Sequence, residues 1–126
     1  MKRKLKNKSV LIVDDEERNR YALSSYLDML EMTVFTASDG ESAMKLLKSD
    51  KRVDLILLDM MMPVMDGYEM LRLLKSDRLL KNIPVIAVTA RAMQGDDLKC
   101  IEAGATDYVP KPVDLKNFVS KMVKWL

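Results

Sequence analysis

The chain has no histidine and a single cysteine, Cys100, in 126 residues. The missing imidazoles exclude nucleophilic triads that use histidine as the base, and they argue against zinc, which favours nitrogen and sulfur ligands. One thiol cannot form an internal disulfide. The helical spacing of Leu98 and Ile101 around it predicts a packed or partly exposed sulfur rather than a reactive one. No stretch approaches the roughly 20 apolar residues that a membrane-spanning helix needs, and the basic start lacks the apolar region of a secretory signal. A cytoplasmic protein is expected, with no membrane partner. A phosphate loop of the GxxxxGK type is absent. Aromatic residues make up 6% of the chain and are not interleaved with a basic face, which weighs against direct nucleic-acid binding.

The residues that are present describe one domain of ordinary size. Hydrophobic residues make up 48% and charged residues 32%, a normal balance for a chain that buries a core unaided. The net charge of +2 misleads, because Lys2, Arg3, Lys4, Lys6 and Lys8 precede any regular pattern. Residues 9–126 carry sixteen cationic side chains against nineteen acids, a net −3. Residues 1–8 are therefore expected to be a basic, solubilising and disordered tail, and residues 9–126 the folded domain.

Five strand-like runs alternate with five helical patterns, which predicts a parallel sheet with helices on both faces. The strand readings are 9–13, 32–36, 53–58, 84–88 and 106–109. The first helix, over about 16–30, shows Leu23, Tyr26, Leu27 and Leu30 on one face. The second, over about 40–48, follows a capping box from Ser38 to Glu41 and buries Ala43, Leu46 and Leu47. Leu71 and Leu74 mark a third helix, and Leu115, Phe118, Val119, Met122 and Leu126 mark the last. The fourth helix is predicted to start late after Thr89, near Gly95, Asp96 and Asp97. No linker, repeat or second domain is visible.

Chemistry gathers at the ends of these strands. The run from Val53 to Leu58 delivers Asp59, after which Pro63 and Gly67 force the chain out of regular structure. The run Ser9 to Val13 ends in Asp14 and Asp15, followed by Glu16 and Glu17. A lone acid at a strand end is most often just solvated, and acids in a first helical turn favour its positive end, which accounts for Glu16 and Glu17. In open α/β sheets, however, ligands bind beyond the carboxyl ends of the strands. If the two strands are neighbours, Asp14, Asp15 and Asp59 converge. Two carboxylates about 4 Å apart repel by roughly 4 kcal/mol at an effective dielectric near 20, so a cation must hold them. An oxygen-only cluster suits Mg²⁺, with Mn²⁺ as a near equivalent. The fourth run stops at Thr89-Ala90 and the fifth at Pro110-Lys111-Pro112, adding a hydroxyl and an ammonium to the same edge.

The order and spacing of VDD at 13–15, DMMMPVMDG at 59–67, TA at 89–90 and GATDYVPKP at 104–112 resemble the receiver domain of two-component response regulators, the CheY-like family. The resemblance spans residues 9–126. It implies a flavodoxin-like (βα)5 three-layer sandwich with a parallel five-stranded sheet of order 2-1-3-4-5. It also implies that Asp59 is the phosphoacceptor, that Asp15 and Asp59 bind the metal directly, and that Asp14 helps through water. The backbone carbonyl of Met61 would complete the protein ligands. Thr89 and Lys111 would contact the phosphoryl oxygens, and Tyr108 would change rotamer on activation. The Lys111-Pro112 bond would be cis.

On this resemblance the chain catalyses only its own phosphorylation and dephosphorylation. With no histidine it cannot be the phosphohistidine donor, so a histidine kinase or a histidine phosphotransfer protein must supply the phosphoryl group. A downstream protein would read the surface of the fourth helix, fifth strand and fifth helix, with the chain a monomer or a weak phosphorylation-dependent dimer. Val113 after Lys111-Pro112 departs from a large DNA-binding subfamily, which usually has Phe there. A free-standing regulator and a receiver segment of a hybrid histidine kinase therefore both stand. Met61 and Arg91, two residues beyond Asp59 and Thr89, flank the path of a hydrolytic water and do not favour hydrolysis, which predicts a long-lived phosphoprotein. The cluster Met60 to Met62, with Met65, is expected to pack around the loop after Asp59. Two rivals are weaker. An aspartyl-phosphate hydrolase of the haloacid dehalogenase type needs a second Asp where Met61 stands, and a non-phosphorylated interaction module leaves the complete set of phosphorylation residues without a purpose.

Overall fold

The computed structural model describes residues 2–62, 66–89 and 96–126, with the side chains of residues 2, 3 and 96–98 left aside. Five strands, β1 (Ser9–Val13), β2 (Thr33–Ala37), β3 (Leu55–Asp59), β4 (Val85–Thr89) and β5 (Asp107–Pro110), pair in parallel in the order β2-β1-β3-β4-β5. They alternate with helices α1 (Glu17–Met29), α2 (Gly40–Leu47), α3 (Gly67–Ser76), α4 (Asp96–Glu102) and α5 (Leu115–Trp125). This is the flavodoxin-like, CheY-type arrangement.

The unbroken hydrophobic runs of β1, β3 and β4 are explained by burial on both faces. All five residues of β3 and of β4 are buried, whereas the edge strands β2 and β5 keep exposed positions. Successive side chains still alternate between faces. Val10, Ile12, Leu55, Leu57, Ile86 and Val88 pack with Leu23 and Leu27 of α1 and Phe118, Val119 and Met122 of α5. Leu11, Val13, Ile56, Leu58, Val85 and Ala87 face the other way, against α2, α3 and the Cys100 side of α4. Each fully buried aliphatic side chain contributes about 1.5–3 kcal/mol. Cys100 is a packed thiol with no exposure.

Three sequence expectations need correction. Residues 2–5 are not a disordered tail: Lys2–Leu5 form a 3-10 turn, and Leu5 is fully buried in the α1/α5 core. Backbone bonds from Asn7 N–H to Glu31 and from Thr33 N–H to Lys8 tie this segment to the start of β2. The cap of α2 is Asp39, which accepts from the Ser42 N–H at 2.7 Å, rather than a Ser38–Glu41 box. Four of the strands also end one residue later than expected, so Asp59 and Thr89 are last strand residues.

Candidate functional site

Parallel register brings the strand ends to one edge. Val13 pairs with Leu58 and Asp59 with Val88, while Thr89 pairs with Pro110. Asp14, Asp59, Thr89 and Lys111 therefore follow one another across β1, β3, β4 and β5. The sheet reverses its winding between β1 and β3, the place where a crevice opens in folds of this kind.

Asp59 is 1% exposed, and both of its carboxylate oxygens are engaged. The Met61 N–H donates to Oδ1 at 3.0 Å, and the Lys111 ammonium sits 3.2 Å from Oδ2. Lys111 reaches this position because its own N–H donates to the Thr89 carbonyl at 2.9 Å, and the Lys111-Pro112 peptide that follows is cis. The loop after Asp59 lies close against α3. A Cβ on Gly67 would come within 2.5 Å of Met60 Cα, so a larger residue there would displace the backbone that carries Met61. Asp66 caps α3 by accepting from the Glu69 N–H.

Asp14 is also buried, and burial is the main reason its carboxyl lies above the usual carboxylate range. The Glu16 N–H, which donates to Oδ1 at 2.9 Å, opposes that rise, and the Asp59 charge adds to it. Asp15 is exposed beside it. One carboxylate oxygen from each of Asp14, Asp15 and Asp59 lies within 4.8 Å of the others. The donors are all oxygen, as a hard divalent cation requires, and the burial of two of them disfavours leaving their charges unpaired. The acidic pocket thus fits a metal ion.

Of the remaining expected residues, Thr89 is 4% exposed at the end of β4, and Tyr108 is half-buried on β5. Met61 is 58% exposed, while Met60 and Met62 pack into the core on either side of it. Arg91, Ala90 and Met65 lie outside the described residues. The sequence reading missed Asn19 and Arg20. Asn19 Nδ2 donates to Asp14 Oδ2 at 3.4 Å, and Arg20 Nη1 donates to the Asp14 carbonyl at 2.7 Å. Their placement four and five residues after Asp15, on the returning face of α1, was the available signal. It also missed a second cluster, in which Asp107 accepts from Lys121 Nζ at 2.9 Å and from Trp125 Nε1 at 3.0 Å. The same ammonium lies 4.7 Å from the centre of the Tyr108 ring. A cavity of about 480 Å³ opens between α1 and α5, bounded by Asp14, Asn19, Leu23, Val88, Lys111 and Leu115.

Residues 10–123 match the family model of the response regulator receiver domain. Among curated relatives, the response regulator PleD of Caulobacter vibrioides is 42% identical over 105 residues, 83% of this chain, and the chain spans 23% of its length. The polar-differentiation response regulator DivK of Brucella anthropi is 35% identical over 94% of this chain and 96% of its own. Among solved structures, the receiver domain of the sensor histidine kinase PA1611 of Pseudomonas aeruginosa, with magnesium coordinated in its active-site cleft, superposes with a TM-score of 0.84. It is 32% identical over 94% of this chain and 97% of its own. The receiver domain of Saccharomyces cerevisiae Ssk1, solved with the histidine phosphotransfer protein Ypd1, gives a TM-score of 0.85 at 28% identity, covering 96% of this chain and 90% of that one. Nothing in these comparisons supports a haloacid dehalogenase relationship. Among the described residues, no helix is long and apolar enough to cross a membrane. The strand order, the acidic pocket at the carboxyl edge and the family match over residues 10–123 together make this chain a member of the response regulator receiver domains of two-component signalling.

Proposed function

We propose that this receiver accepts a phosphoryl group on Asp59 from a phosphohistidine of a histidine kinase or a phosphotransfer protein. The carrying observation is the setting of the Asp59 carboxylate: buried, pinned by the Met61 N–H on one oxygen and by Lys111 on the other, with Asp14 and Asp15 alongside. A carboxylate oxygen attacks phosphorus, the P–N bond breaks, and its electron pair stays on the departing imidazole, leaving an acyl phosphate on Asp59. Phosphoryl transfer asks the protein for positioning and neutralisation more than for covalent chemistry. Met61 N–H orients the nucleophile. Lys111 supplies positive charge next to the oxygens that gain it, and Thr89, at the adjacent strand end, offers a hydroxyl to the phosphoryl group.

Asp15, Asp59 and the Met61 carbonyl would ligate Mg²⁺, or Mn²⁺ in its place, with Asp14 acting through water. When bound, the ion screens the carboxylates from one another and from the incoming phosphoryl oxygens. The likeness to a receiver solved with magnesium and to one solved with a phosphotransfer protein supports this reading. Phosphorylation then draws Thr89 toward the phosphoryl group, Tyr108 moves, and a downstream protein in the cytoplasm reads the surface of α4, β5 and α5.

Incubation of wild type and Asp59→Asn with Mg²⁺ and a small phosphodonor such as acetyl phosphate, followed by intact-mass measurement, tests the assignment. A single phosphate adduct on wild type and none on the variant is expected; a full adduct on Asp59→Asn would overturn it. The exposed thioether of Met61 offers no strong hydrogen bond to orient a hydrolytic water, so the adduct should be long-lived. Met61→Asn should shorten its lifetime, read as decay of the same mass peak, and an unchanged lifetime removes this explanation.

A further inference from the structure

Arg20 extends from the first turns of α1 back toward the strand edge, where its Nη1 donates to the backbone carbonyl of Asp14 at 2.7 Å. Its neighbours there are acids, yet among the described residues the guanidinium forms no ion pair. An arginine placed to neutralise carboxylates would lie across one of them, where its planar fork makes two parallel bonds. This one grips a peptide group instead. The carbonyl belongs to the Asp14-Asp15 peptide, so holding it fixes the direction in which the chain leaves buried Asp14 and presents exposed Asp15.

The Asp14 N–H ties the start of this turn to β2 by donating to the Ala37 carbonyl at 3.1 Å, but past Asp14 few bonds fix the chain. The N-cap residue Glu16 makes no side-chain capping bond. The Asp14 carboxylate closes the turn locally by accepting from the Glu16 N–H, and it meets Asn19 at 3.4 Å, near the limit for a hydrogen bond. The Arg20 contact is the shortest of the three. Its own N–H donates to the Glu16 carbonyl at 3.1 Å, so the side chain that holds the turn is anchored in the helix the turn begins.

We propose that Arg20 is a positioning residue that sets the Asp14-Asp15 turn for Mg²⁺, an inference that rests on the metal reading above. Mg²⁺ demands near-octahedral geometry and tolerates misplaced oxygens poorly. Titrating magnesium calorimetrically into the full chain as wild type, Arg20→Met and Arg20→Lys tests it. Binding about tenfold weaker is expected for Arg20→Met, the lower end of what ligand-orienting groups contribute, with Arg20→Lys within about threefold of wild type. A cation beside a metal site repels the metal, so an Arg20 that acted through charge alone would give tighter binding on removal, most clearly at low salt. Equal or tighter binding by Arg20→Met overturns the proposal. Backbone amide shifts of the metal-free variants give a second readout: changes centred on Asp14, Asp15 and Glu16 are expected, and changes spread through the domain would mark a general folding role and overturn it. Wild type that binds no magnesium overturns the metal reading itself, whatever the variants do.

Discussion

Two aspartates, Asp14 at the end of β1 and Asp107 at the start of β5, show how differently one small domain treats the same side chain. Burial lifts the Asp14 carboxyl above its ordinary range, and the Glu16 N–H does not offset this while Asp59 sits nearby. Burial also pushes Asp107 up, but the Trp125 indole, the Lys121 ammonium and the Tyr108 N–H outweigh it and hold the carboxyl below its ordinary value. The Asp107 carboxylate on the β5–α5 seam is electrostatically satisfied, whereas the buried Asp14 carboxylate is under a tension that a cation would relieve. On the function proposed above, a site that admits a dication and then a phosphoryl group cannot be fully satisfied beforehand, while a seam joining a strand to a helix can be.

The sharpest way to break this contrast is to remove the ammonium that pairs with a carboxylate at the acidic end. Lys111→Met strips the Asp59 carboxylate of its ammonium and should slow phosphorylation by about a hundredfold, in line with the loss of a single charge-stabilising donor. The initial rate of adduct formation measures it, and a rate near wild type would show that Lys111 is dispensable.

A smaller effect is expected at the satisfied end. Asp107→Asn should cost about 1–2 kcal/mol in urea unfolding at neutral pH, because Lys121 and the indole lose a charged acceptor. A folded-state pKa depressed below the ordinary 3.8 means that the stabilisation is present above that value and disappears as pH falls through the lower folded pKa. The gap between wild type and Asp107→Asn should therefore close on the acid side of pH 3.8. A gap that persists there would place the effect in packing rather than charge.

The smallest change should have the opposite sign. Asp14→Asn keeps an acceptor for the Glu16 N–H but removes a buried charge, so the metal-free protein should gain about 1 kcal/mol of stability, the size common for stabilising substitutions. Thermal unfolding in a chelator measures this. Loss of stability in the variant would mean that the acidic end is not strained and that the contrast with Asp107 fails.

How legible each end was follows the same division. Asp14, Asp15, Asp59, Thr89 and Lys111 could be read because each closes a hydrophobic run or follows one immediately, and the strand end is a local feature. Asp107, Lys121 and Trp125 could not, because their contacts join residues 14 and 18 apart along the chain through a helix whose rotation depends on core packing. Leu5 was misread for a related reason. Among five basic residues it reads as part of a solvated tail, and its burial exists because α1 and α5 leave a place for it.

The sequence by itself determined the alternation of strands and helices, the chemistry at the strand ends and, through the spacing of its motifs, the family. These depend on periodicity and on short-range order, which a linear string carries in full. The β1–β3 adjacency was expected through the family resemblance alone and not from the alternation of elements, and only the tertiary structure decided that Lys111 meets Asp59 across 52 residues and that Arg20 grips a backbone carbonyl rather than an acid. Each of these is set by which surfaces pack together. Hydrophobic burial is not directional, and residue type alone does not specify the partner that a polar group meets once packing has placed it.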